Sequence, residues 1–476
     1  MTTTRELHSS APGTELLIDQ SDSSLAQTHQ HISHNGIRII QVPQPSLTDP
    51  NDPLRWPLWK KWATFGNGLI YAFLGAVTGP MMAGGMVQLS AFFKRPLKDI
   101  TYSNGATLIC QGFGTLVWMP LSVKFGRRPV YLVSNFLMGI ACVWLAIASE
   151  TTYPVFVLAR AFLGLWEAPI EAIVPSTIAD IFYLHERGEK VSYYGLSVLG
   201  GNELGPLFSA YIIGALSMRW AFFIVAMAIG VSVVMMIFLM FETRYSGVRP
   251  VIVPFAPGEK EAGKGRMSSH DETNADSMPS CRDHGNQPAK QRRTYLQDLV
   301  YLNTDKDVKL WDIFKRPFIL MAYPTVLWSS LVYGMGLSWN VILGATVAQL
   351  FAPPPYNFSS GSQGLTFISP LLGSLVGTYL CGSLADQIAT WFTARKNGIR
   401  EPEMRLPTCV IAAVLTFSGA LIAGLTYEHK THWIGPIFGF GVLSAGAQMG
   451  ATLAISYSLD CHKQVGVTVV VPREEG

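Results

Sequence analysis

Ten long apolar segments run through this chain of 476 residues, at 63–86, 107–123, 130–148, 155–178, 191–216, 220–241, 318–350, 365–384, 406–425 and 433–457. A helix rises about 1.5 Å per residue and the hydrocarbon core of a bilayer is about 30 Å thick, so roughly 20 apolar residues cross it. Inside lipid a backbone amide finds no water, and segments of this length satisfy their amides only as α-helices. The sequence therefore predicts an all-α polytopic membrane protein. Composition agrees, with 49% hydrophobic and 14% charged residues, which excludes an ordinary soluble domain. The basic residues sit in short loops beside apolar helices and not along one surface, so nucleic acid is not an expected partner.

About sixty polar residues precede the first segment, with no apolar stretch near Met1, so insertion is expected to be directed by the first helix without a cleavable signal. Lys60 and Lys61 precede that helix, Lys124, Arg127 and Arg128 follow the second segment, Arg187 and Lys190 the fourth, and Arg395, Lys396, Arg400 and Arg405 the eighth. All these positions fall on one side, which the positive-inside rule makes cytoplasmic, with the N-terminus on that side. Lys94, Arg95 and Lys98 are the exception on the other side.

The expected organisation is a largely disordered N-terminal tail over 1–61, a first six-helix half over 62–243, a cytoplasmic linker over 244–316, a four-helix second half over 317–457 and a tail over 458–476. The linker is rich in Gly, Ser, Asp, Lys and Pro. Its later part alternates apolar residues with Asp and Lys, which suits an amphipathic helix on the bilayer or a short lead into the seventh segment. Two helical halves joined in this way are what a transporter built from repeats would show.

Charges inside the apolar segments are the sharpest functional signal, because each costs about 2.5–3.5 kcal/mol at the bilayer centre. The fourth segment holds Arg160, Glu167 and Glu171, which with Gly164 fall on one stripe of a helix. The fifth adds Asn202 and Glu203 just before Gly205-Pro206. One arginine faces three acids, so these residues are candidates for proton coupling or for holding a cationic group, with a fixed ion pair as the structural alternative. Trp339 and Asn340, deep in the seventh segment, are the candidate pocket residues of the later helices. Other Trp and Tyr residues, Trp118 and Tyr333 among them, suit interface anchoring or ligand stacking.

No enzyme is expected. No GxxxxGK[ST] loop is present, no cluster of His, Asp and Ser converges, and neither the six cysteines nor His429 and His432 have metal-ligand spacing. No cofactor and no metal are expected; the expected partners are the lipid bilayer, a small-molecule substrate and the proton, with no obligate protein partner.

Several stretches resemble the major facilitator superfamily, specifically the twelve-helix fungal drug:proton antiporter type. Phe125-Gly126-Arg127-Arg128-Pro129 is similar to its signature between helices 2 and 3, Leu158-Ala159-Arg160 with Gly164 to its helix 4 motif, and Gly201-Asn202-Glu203-Leu204-Gly205-Pro206 to its antiporter motif in helix 5. Asp49-Pro-Asn-Asp-Pro-Leu-Arg-Trp56, Arg219-Trp220, Glu242-Thr243 and Gly382-Ser-Leu-Ala-Asp386 add to the likeness. The resemblance implies a bundle of six helices plus an incomplete second half of four, since the stretch after Cys461 is too short for helices 11 and 12. It implies proton-coupled export of small organic or cationic compounds (drugs, secondary metabolites, polyamines), with an inactive truncated paralogue or a membrane sensor as the alternative. Gly126, Arg127 and Arg128 would belong to a cytoplasmic gate, Gly201, Gly205 and Pro206 to a bend, and Arg160 to proton transfer. Val123 stands where the family usually has an acid before Gly-Arg-Arg, and Asp386 keeps the equivalent acid in the second half. The expected membrane is the plasma membrane, with the vacuolar membrane as the alternative.

Overall fold

A computed structural model of the chain describes residues 31–34, 37–40, 43, 45–46, 49–245, 247, 293–300, 310–395 and 402–461. Ahead of the helices, β1 (His31–His34) and β2 (Ile37–Ile40) pair antiparallel with His31 opposite Ile40. Among the described residues the regular elements after them are all helical. The first apolar segment forms α1 (Leu58–Thr78), a 3-10 stretch (Pro80–Gly85) and α2 (Met86–Phe93). Then come α3 (Leu97–Phe125), α4 (Arg127–Ala148), α5 (Tyr153–Glu167), α6 (Pro169–Ile181), α7 (Leu184–Ala215) and α8 (Met218–Leu239). The linker contributes α9 (Tyr295–Val300) and α10 (Leu310–Leu320). The later helices are α11 (Pro324–Phe351), α12 (Ser360–Leu365), α13 (Ile368–Tyr379), α14 (Ala385–Arg395), α15 (Pro407–Glu428) and α16 (Ile434–Cys461).

Among the described residues eight helical stretches are long and apolar enough to cross a membrane. The fourth and fifth apolar segments are helical but do not meet that measure. The fourth is divided into α5 of 15 residues and α6 of 13, and the fifth, α7, carries the polar run through Asn202 and Glu203. The division at Ala168 has a local cause. Pro169 has no N–H, and its ring crowds the carbonyl four residues back, that of Leu165. Trp118 Nε1 on α3 donates to that freed oxygen at 2.9 Å, and Thr115 Oγ1 donates to Ala168 O at 3.3 Å. The seventh segment also begins later than its hydropathy suggests. Phe318 belongs to α10, and Pro324 opens α11 at a first-turn position where its missing N–H costs nothing.

Hydroxyls inside the helices bond to their own backbone and so are tolerated in lipid, as in Thr177 to Ile173 O, Ser329 to Thr325 O and Thr416 to Ala412 O. Helices before the linker pack as α3 with α5, α4 with α8 and α1 with α7 around Phe65, Tyr71, Tyr131, Met138, Phe156 and Phe222, all essentially without exposed surface. Helices after it gather on α16, against which α11, α13 and α15 lie. The two sets meet where α7 touches α12 and α13 and where the 3-10 stretch touches α11 and α12. Large apolar side chains such as Ile109, Phe113, Val231, Val414 and Phe417 point outward. That is the pattern of a surface wetted by lipid.

Candidate functional site

Arg160 is completely buried, and its environment is set by the end of α1. Helix α1 stops at Thr78 because Pro80 cannot donate, which leaves carbonyls without intrahelical partners. Arg160 Nη1 donates to Thr78 O and Nη2 to Gly79 O, both at 3.1 Å, and Nη2 also donates to Asn104 Oδ1 on α3 at 2.6 Å. The guanidinium thus ties α5 to α1 and α3 through neutral acceptors. No ion pair between Arg160 and an acid occurs among the described residues.

The three acids occupy different settings. Glu167, the last residue of α5, is 6% exposed and accepts from Thr78 Oγ1 at 2.8 Å. Glu171 lies beyond the Pro169 break on α6, so the two acids do not share one continuous helix. Its Oε2 accepts from Tyr333 of α11 at 2.9 Å and from Tyr194 of α7 at 3.4 Å. Glu203 is 4% exposed and makes no hydrogen bond or ion pair among the described residues. Seven residues on, and so on the same face of α7, Ala210 abuts both Gly84 of the 3-10 stretch and Gly364 of α12. Glu203 therefore lies on the side of α7 that meets the later helices. Asn202 beside it is half-buried.

Trp339 packs in an apolar cluster with Leu343, Val347 and Phe351 of its own helix and Phe440 of α16. Asn340 and Asp386 lie on α11 and α14, and their side chains fall outside the described residues. Where α3 and α11 diverge, a cleft of about 640 Å³ is lined by Lys98, Thr101 and Tyr102 on one side and Ala348 and Gln349 on the other.

The residues of the expected gate cluster at the end of the bundle where the chain enters α1. Gly126 joins α3 to α4 at φ +96, a backbone geometry that favours glycine, and a Cβ there would lie 2.5 Å from a Glu242 oxygen. Glu242 accepts from the amides of Arg127 at 2.9 Å, Arg128 at 3.0 Å and Arg244 at 3.0 Å, so it caps the N-terminus of α4 from outside that helix. Burial pushes its carboxyl above the ordinary value, opposed by these amides and the Arg127 guanidinium. Arg127 Nε pairs with Asp180 at 2.6 Å, and Arg128 Nη2 donates to Ile237 O at 2.9 Å. Glu242, Asp180 and Ile237, the partners of Arg127 and Arg128 here, all precede the linker. On α7, Gly201 and Gly205 press against Ala76 and Val77 of α1, which leaves no room for a side chain, and Pro206 lies within the continuous helix α7.

Sequence reasoning named Arg160 and the acids but not Thr78, Asn104, Asp180 or the capping role of Glu242. Asp180 and Glu242 stand 53 and 115 residues from Arg127, and no local spacing announces such partners. Thr78 carried a signal in the Gly79-Pro80 pair, which marks where carbonyls are freed. Among the described residues no group of His, Cys, Asp and Glu is arranged to hold a metal ion.

Comparison with known proteins follows this geometry. The model of the Major Facilitator Superfamily matches residues 63–468. The chain is 29% identical to the MFS-type transporter penM of Penicillium rubens over 92% of its length and 80% of that protein's. It is 27% identical to the efflux pump radE of Floropilus chiversii, over 90% of this chain and 73% of that one. In fold it is similar to the xylose transporter XylE from E. coli in a partially occluded inward-open conformation, with a TM-score of 0.54 at 11% identity, covering 86% of this chain and 89% of that one. Matched by that family model across most of its length, this chain of membrane-spanning helices belongs to the Major Facilitator Superfamily of transporters.

Proposed function

We propose that this chain is a proton-coupled secondary transporter that exports small organic, amphipathic or cationic compounds by alternating access. The observation that carries the reading is that among the described residues none of the acids Glu167, Glu171 and Glu203 forms an ion pair with Arg160. Arg160 is bonded to carbonyls and an amide, Glu167 holds a hydroxyl, Glu171 holds two phenols and Glu203 is unpartnered among the described residues. Buried carboxylates without a countercharge are stable only when they bind a proton, a cationic ligand or water.

In this reading the helices before and after the linker are two bodies that rock about Glu167 and Glu203. The entry end, with Lys60, Lys61, Arg127, Arg128 and Lys190, is cytoplasmic, and the plasma membrane is the site of action. The name of radE, an efflux pump, supports export.

The test is flux in proteoliposomes with an imposed pH gradient, using ethidium as the probe. Vesicles acidic inside accumulate ethidium through the wild-type chain, and Glu167→Gln abolishes the dependence on the gradient while ethidium binding survives. Flux indifferent to the gradient refutes proton coupling, and no flux above that of empty vesicles, with Arg160 and Glu167 unreachable by labels from either compartment, refutes transport and favours a non-transporting membrane sensor.

A further inference from the structure

We infer that Thr78 is a positioning residue that reads the proton on Glu167 and passes its state to the Pro80–Gly85 stretch. The inference rests on the proton-coupled reading of Glu167 above.

The Thr78 side chain is fully buried, and its hydroxyl has two acceptors within reach, Glu167 Oε2 at 2.8 Å and Gly75 O at 2.7 Å. A hydroxyl has one hydrogen, so the two compete. With Glu167 ionised, the hydrogen turns to the carboxylate, because a bond to a charged acceptor is the stronger one. Once Glu167 takes a proton from the aqueous path, its own O–H donates to Thr78 Oγ1. The Thr78 hydrogen then turns back to Gly75 O. In the ionised state one bond joins Thr78 to Glu167; in the protonated state the donation between them is reversed and Thr78 gains a second bond, to Gly75 O.

The position of Thr78 makes that reversal consequential. It is the last residue of α1, and its carbonyl is one of the two that Arg160 holds. The 3-10 stretch that follows touches both sets of helices. Ser209 of α7 donates to Met81 O at 2.6 Å, while Ala83 sits in a cluster with Leu343, Val347, Phe351 and Phe367 of the later helices. The groups that face Glu167 electrostatically are Arg160 on α5, Glu171 on α6, Tyr71 on α1 and Cys142 on α4. A change at Thr78 leaves all four in place.

Hydrogen–deuterium exchange on the full chain in lipid nanodiscs, at an acidic and an alkaline pH and corrected for intrinsic rates, tests the inference without a substrate. Wild type and Thr78→Ser are expected to change uptake over residues 80–93 between the two conditions. Thr78→Val and Thr78→Ala, which lack the hydroxyl and provide two independent chances of a folded variant, are expected to lose that change. Glu167→Gln is expected to stay at the acidic-pH level. If both hydroxyl-free variants respond like wild type while Glu167→Gln does not, the role of Thr78 is overturned and the reading of Glu167 stands. If Glu167→Gln itself responds like wild type, both fall.

Discussion

Replacing Gly164 by alanine places a Cβ 2.0 Å from the Thr107 carbonyl oxygen, 2.8 Å from its carbon and 3.0 Å from its Cα, where ordinary contact begins at 3.4 Å. All three atoms are backbone of α3, so no side chain can rotate away and the two helices must part by roughly 1 Å or more. Overpacking of that kind costs about 1–3 kcal/mol. One turn earlier on α5, Arg160 donates to Asn104 of α3 at 2.6 Å, and the same parting stretches this bond past the ~3.2 Å limit of a good one. Losing a hydrogen bond from a charged donor adds about 1.5–3 kcal/mol. Gly112→Ala is the control on α3, because a Cβ there meets nothing within 4 Å. That change should be neutral or stabilising by about 0.5–1 kcal/mol through helix propensity. Thermal unfolding in one detergent, followed by tryptophan emission, reads both variants. Gly164→Ala should melt well below wild type and Gly112→Ala at or above it. Equal melting of the two would refute the claim that α3 and α5 meet backbone to backbone at this position.

Tyr333→Phe removes the hydroxyl that ties α11 to Glu171 and should shift the spin-label distances between α6 and α11 toward separation by roughly fivefold in population, for a bond worth about 1 kcal/mol; an unchanged distribution would show that the bond carries no closure energy. Burial raises the folded pKa of Glu242 above the ordinary carboxylate value of 4.5, so its contribution to stability is complete below that value and is lost as pH rises through the folded pKa. Glu242→Gln should therefore flatten that limb of the stability curve, measured by unfolding across pH, and an unaltered slope would assign the dependence to another group.

The spans were legible because lipid fixes their length and hydropathy, and the helical fold class follows from unsatisfied amides alone. What sequence could not give was the partner of each polar group. Arg160 suggested an ion pair with Glu167 by helical spacing, yet the carbonyls freed at Thr78 and Gly79 are its acceptors, and a carbonyl has no letter in the sequence. The single stripe from Arg160 to Glu171 was drawn on an unbroken helix. Pro169 interrupts it, and the interruption is held by Trp118, a residue whose type suggested an interface anchor. Arg127 and Arg128 were readable as a cluster, but their acids come from the ends of α6 and α8, which only packing brings together.

The far end of the linker is fastened to the first helices. Lys60 pairs with Asp298 at 2.6 Å beneath the rings of Trp56 and Phe241, Tyr295 meets Phe241 edge-on at 5.7 Å, and the Arg293 amide donates to Asn51 at 3.0 Å. The chain therefore departs at Phe241 and returns within a few ångströms of its point of departure. The stretch 293–300 is thereby held against α1 and the end of α8, ahead of α10 and the later helices. Insertions between residues 248 and 292 should therefore leave Lys60, Trp56 and Phe241 in place, whereas Lys60→Ala should loosen α9 from them.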